Sequence, residues 1–120
     1  MIRPIHASNN PSLNIISDVI KEYGVSHRDE IVQAIASCVV SYVNVGDTAY
    51  IVTRITNFVE TLAVSDWDTN VVYYEFTDIT GRYIAKTKWN KIIQQAADEL
   101  TLLRSMIRRD VLEWKDAVDI

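Results

Sequence analysis

Cysteine, histidine, glycine and proline are all scarce in this chain, and each scarcity closes off a class of protein. The single cysteine, Cys38, has no partner for an intramolecular disulfide, so the fold needs no oxidising compartment. One cysteine and two histidines, His6 and His27, do not make a zinc pattern. The three glycines stand apart at positions 24, 46 and 81, which leaves no glycine-rich loop to cradle a phosphate. Two prolines among 120 residues point to long regular elements with short connections. No apolar run approaches the ~20 residues of a membrane span, and the opening MIRPIHASNNPSLN lacks a signal-peptide core. A cytoplasmic, intracellular protein is expected.

Catalytic groupings are equally sparse. A nucleophilic Ser, Cys or Thr needs a base beside it, and neither histidine is framed by such a motif. Cys38 lies in an apolar stretch, where a thiol is usually an inert small hydrophobe. Asp66, Asp68 and Asn70 copy the first ligand positions of a calcium loop, but Val71 stands where glycine is needed and Thr77 where a bidentate glutamate is needed. Asp98 and Glu99 are adjacent and so point to different faces of a helix. The expectation is a protein that is not an enzyme and takes no metal or cofactor.

What the chain does have is globular composition, 48% hydrophobic and 23% charged. Residues 1–10 read as a tail and 11–120 as one helical domain. The net charge of −4 is laid out in blocks. Residues 1–78 carry four basic and ten acidic side chains, 79–109 carry seven basic and two acidic, and 110–120 carry one basic and four acidic. Such alternation suits head-to-tail association or an anion-facing surface, and it is also how ordinary solvated surfaces fall out.

Asn10-Pro11 has the form of a helix start, and Leu13, Ile16, Ile20 and Tyr23 share one helical face. Gly24 is expected to end that helix in the left-handed conformation. Ser26 and Asp29 resemble a capping box opening a second helix, IVQAIASCVVSYVNV, whose apolar surround suggests a central position. Gly46-Asp47 ends it and caps the next. Residues 48–64 mix strand-favouring Tyr, Ile, Val and Thr with helical spacing at Ile51, Ile55, Phe58 and Leu62; the spacing favours helix. SDWDTN reads as a turn. VVYYEFT then has strand composition, and RYIAKT beyond Thr80-Gly81 is placed to pair with it as a hairpin. The expected fold class is mainly α with a β component (α+β): three N-terminal helices, a short β-hairpin or wing strand, and a long C-terminal helix.

That last helix carries the clearest pattern. Trp89, Ile93, Ala96, Leu100, Leu103, Ile107, Asp110, Trp114 and Ala117 alternate four and three apart, four heptads with one polar exception. A helix over 88–118 is longer than a domain this small needs. The seam from Trp89 to Trp114 is therefore expected to form a homodimer interface, the alternative being a helix lying along its own core. A second candidate surface is cationic: Arg54, Arg82, Lys86, Lys88, Lys91, Arg108 and Arg109, of which the middle group is interleaved with Tyr73, Tyr74, Phe76, Tyr83 and Trp89. Cations beside aromatic faces suit an anionic partner such as nucleic acid, although hairpin aromatics packed on helices would look the same.

Two resemblances bear on function. Three helices, then Tyr73-Tyr74-Glu75-Phe76-Thr77 with Gly81 shortly after, then a long helix, resemble winged-helix transcription regulators. That resemblance implies a recognition helix over 48–60 with Arg54 as a DNA contact, yet this segment has only one basic residue and the second helix is long for the motif. IKEYG, DEIVQAIASCVVSYVNVGD and a long helix near RYIAKTKW are similar in order to small phage early proteins, among them antirestriction proteins that mimic DNA. The dense acidic surface of a mimic is absent here. Neither resemblance assigns the chain to a family. The expected function is a non-enzymatic interaction protein, a homodimer and a viral or phage accessory factor acting on a host macromolecule, with a winged-helix DNA-binding regulator as the alternative.

Overall fold

The computed structural model describes residues 10–43, 48–64, 67–77 and 84–118. These form five helices: α1 (Pro11–Tyr23), α2 (Arg28–Tyr42), α3 (Thr48–Ala63), α4 (Thr69–Thr77) and α5 (Lys86–Val118). His6, Gly46, Asp47, Asp66, Gly81, Arg82 and Tyr83 lie outside the described residues; α2 nevertheless ends at Tyr42 with Val43 extended, before the expected stop at Gly46. No helix among the described residues is long and apolar enough to cross a membrane.

The start of α1 is as the sequence predicts. Asn10 is extended, and its Oδ1 accepts from the amides of Ser12 (3.1 Å) and Leu13 (3.4 Å), with Pro11 in the first turn. Its end is not. Gly24 is right-handed (φ −65°, ψ −18°), not left-handed, and its amide donates to the Ile20 carbonyl. Glycine is needed there for closeness: a Cβ would lie 2.3 Å from the Ile20 carbonyl oxygen. Ser26 does not cap α2 either. His27 is the N-cap residue and makes no side-chain cap bond, while the Ser26 hydroxyl pairs with His27 Nδ1 at 2.8 Å.

The segment 48–64 is helical, and Ile51, Ile55, Phe58 and Leu62 are all buried. The expected wing strand is overturned. Residues 69–77 form α4, and no strand occurs among the described residues. The burial pattern explains why. Val72, Tyr73 and Phe76 are buried while Val71 and Tyr74 are exposed, a helical spacing, whereas a strand would bury alternate residues. Asp68, expected in a turn, starts this helix by accepting from the Asn70 and Val71 amides. β-Branched and aromatic content is a weak preference that packing overrides: Phe76 meets Phe58 edge-to-face at 5.2 Å, and Tyr73 meets Trp89 at 5.1 Å. Among the described residues of its expected hairpin partner there is no strand either, since Ile84 and Ala85 lead directly into α5.

Helix α5 is the spine. Its 33 residues span about 50 Å at 1.5 Å each, close to the molecule's longest extent of 55 Å. Helix α1 runs parallel to it: Asn10 Nδ2 donates to Asn90 Oδ1 (3.4 Å) at one end, and Arg108 reaches Glu22 and Tyr23 at the other. Helix α2 runs the opposite way along α5, its start at His27–Glu30 lying beside Leu103–Val111. Helices α3 and α4 close the far side of the core. Ser17 is the buried polar exception among the described residues, and it is satisfied: its hydroxyl donates to Leu62 O and accepts from Trp67 Nε1, both at 3.2 Å.

Candidate functional site

The heptad seam divides into two parts. Trp89, Ile93, Ala96 and Leu100 are at most 3% exposed, buried against the chain's own α1, α2 and α4. These four belong to the domain core and are not available to a second chain. Leu103 is half-buried, Ile107 nearly buried and Asp110 exposed; the Trp114 side chain lies outside what is described.

Along this one face of α5 the exposure changes abruptly. Leu100 is 0% exposed, Ile107 6% and Val111, one turn further on, 59%. The cause is the length of the neighbours. Helix α1 ends at Tyr23, level with Arg108, and α2 begins level with Ile107–Asp110. Beyond that point α5 continues to Val118 for about two turns, and the last of its described side chains, Val111 and Leu112, are more than half exposed. Leu102, Met106 and Leu112 are also more than half exposed, so the far half of α5 is apolar on several sides. Of these, Leu102 and Met106, four residues apart, share one side of the helix, while Val111 and Leu112 face other directions.

Where α2 meets this segment there is an open groove of about 410 Å³. Leu103, Met106, Ile107 and Val111 supply its apolar lining; His27, Glu30 and Asp110 supply the polar part. Seam spacing finds Leu103, Ile107 and Asp110 but misses Met106, Val111, His27 and Glu30. The available signal was apolar residues at positions off the seam: Leu102, Met106, Val111 and Leu112 stand where a solvated face would carry charge.

The cationic residues are not brought together. Lys86, Lys88 and Lys91 are exposed in the first turns of α5, with Lys86 Nζ 5.4 Å from the centre of the Tyr73 ring. Arg108 and Arg109 lie some 25 Å further along the same helix. Arg108 is already engaged with Glu22 Oε1 (3.1 Å) and the Tyr23 hydroxyl (3.3 Å). Arg54 is half-buried on α3, and Arg82 is outside the described residues. With α4 in place of the wing, the geometry that would present Arg54 as a winged-helix contact is gone.

A second, polar cleft of about 380 Å³ lies where the starts of α1, α4 and α5 converge, lined by Asn10, Ser12, Asn70, Lys86, Asn90 and Gln94 among others. The termini of α1 and α4 there are already occupied, since Asn10 and Asp68 take their first amides. Cys38 is buried, and burial first, then the Glu99 charge, pushes its thiol up to about 11, the opposite of what a nucleophile requires. Among the described residues no three His, Cys, Asp or Glu side chains gather as metal ligands. Comparison of the chain with protein-family models, with curated proteins and with solved structures finds no match.

Proposed function

We propose that this chain is a non-enzymatic interaction module that forms a homodimer through the far half of α5 and, as a dimer, binds and modulates another macromolecule. One observation supports this above the rest: a single helix face passes from fully buried at Leu100 to 59% exposed at Val111, with a large apolar side chain at both points. An apolar face left without cover by its own domain gains about 25 cal/mol for each Å² it removes from water in association. The heptad spacing that continues from Leu103 to Trp114 gives the exposed segment the pattern of a helix that packs on another helix.

The test is size-exclusion chromatography with light scattering at micromolar concentration. The expected mass is twice 13.7 kDa for the native chain and 13.7 kDa for Val111→Glu. A native chain that elutes as a monomer at that concentration removes the proposal.

A further inference from the structure

We propose that the cleft where α1, α4 and α5 begin binds a small polar molecule through a phosphate or carboxylate, held by Lys86, the Trp89 indole and the first turn of α5. The cleft lies at the opposite end of α5 from Val111, so this site stands or falls independently of the dimer reading.

Three observations carry it. The first is an unused donor. Trp89 lines the cleft and is 3% exposed, and its buried Nε1 has no acceptor among the described residues. Trp67 shows the ordinary state, its Nε1 donating to Ser17. An indole N–H can only donate, and buried polar groups are almost always paired, so this one calls for an acceptor. The rings of Tyr73 and Phe76 pack edge-on against the indole and hold it in place.

The second is the start of α5. A helix start is the positive end of the helix dipole and usually gathers acids. Here the first turn holds Lys86 and Lys88 and no acid, and Ala85, at the N-cap position, has no side-chain oxygen to take the first amides. Helices α1 and α4, by contrast, have Asn10 and Asp68 as caps. Of the three starts, that of α5 gains most from an anion.

The third is the lining. Lys86, Asn90 and Gln94 follow at four-residue steps along one side of α5, with Trp89 three residues from Lys86 on the same side. Among the described lining residues Lys86 is a cation and none is a carboxylate. Asp68, one residue before Thr69 of the lining, is set against the α4 amides that it accepts. The volume of about 380 Å³ falls in the range of small-molecule sites, and the amides of Asn70, Asn90 and Gln94 suit the polar body of such a ligand. Lys86 is exposed and flexible, and it moves with the anion to uncover the indole beside it.

The experiment is proton–nitrogen NMR of the full chain at neutral pH, titrated with glycerol 3-phosphate, with succinate, and with sodium chloride at matched ionic strength. Trp89→Phe and Trp67→Phe assign the indole signals. The expected result is a saturable downfield shift of the Trp89 indole proton, with a Kd of about 1 mM or tighter, while the Trp67 signal stays in place. The probe that produces it tells phosphate from carboxylate. Lys86→Gln should weaken binding about fivefold or more, and Lys91→Gln, the same charge change at a residue that does not line the cleft, less than about twofold. Lys86 is exposed, so an otherwise unchanged spectrum confirms that the variant folds. No shift with either probe, a shift that chloride reproduces, or equal weakening by the two lysine variants overturns the site.

Discussion

The indole Nε1 of Trp67 donates to the hydroxyl of Ser17, fifty residues earlier, at 3.2 Å in a buried setting. The same hydroxyl donates to the Leu62 carbonyl, so one serine ties α1 to the end of α3 and to the segment that leads into α4. Ser17 stands on the buried face of α1 among Leu13, Ile16 and Ile20. A polar group is tolerated there because both its roles, donor and acceptor, are used.

Ser17→Ala should therefore cost more than one ordinary hydrogen bond. It leaves a buried indole N–H and a carbonyl without their partner, which costs about 1–3 kcal/mol. Combined with Trp67→Phe, the loss should be less than additive, because the second change removes the stranded donor. Urea denaturation of the two single variants and the double variant measures this; full additivity would show that the two side chains are not coupled.

Cys38 should behave as a masked thiol. Its value is raised from the ordinary 9.0 to about 11 by burial, so it stays neutral through pH 9. A thiol reagent at pH 8 should label it only after denaturation. The stability linked to it is complete below pH 9 and is lost as pH rises toward 11, because the unfolded chain ionises first. Cys38→Ala should flatten that alkaline loss, and rapid labelling of the native chain at pH 8 would contradict the buried placement.

Glu22 should contribute on the acid side. The Arg108 guanidinium, then the Tyr23 hydroxyl, hold its carboxyl below the usual value of 4.5. A depressed carboxylate adds stability that is present above the unfolded value and lost as pH falls through the folded one. Glu22→Gln should lower the denaturation midpoint slightly at pH 7 and make no difference well below the carboxylate range. Because both side chains are about half exposed, the pH 7 difference should shrink further in high salt.

Asp110 should separate stability from specificity in the dimer. It is exposed and lines the apolar groove. Asp110→Leu should tighten self-association several-fold, since it removes a charge that must be dried on pairing, and should loosen the register. Concentration-dependent light scattering reads the first effect. The appearance of species beyond the dimer in the same scattering profile reads the second, and a weaker dimer would show that Asp110 is paired across the joint.

Much of this fold was legible in local patterns. Asn10-Pro11 started a helix where a side-chain cap and a preset φ both favour one. Spacing at Ile51, Ile55, Phe58 and Leu62 outweighed strand-favouring composition, and the length of α5 followed from a four-heptad seam interrupted only at Asp110. VVYYEFT was misread because its composition suits a strand equally well. What settles it is what a helix lets two rings reach: Phe76 meets Phe58, and Tyr73 meets Trp89 while its hydroxyl donates to the Ile84 carbonyl at 2.6 Å. The partners stand eleven or more residues away, beyond the neighbours that set local propensity.

The candidate site shows the same division. The sequence by itself determined that α5 carries one apolar face for its whole length, because helical periodicity is a local property of residue order. Only the tertiary structure decided which part of that face serves the core and which part is exposed. That depends on where α1 ends against Arg108 and where α2 begins against Ile107, and so on the lengths and directions of helices far away in the chain.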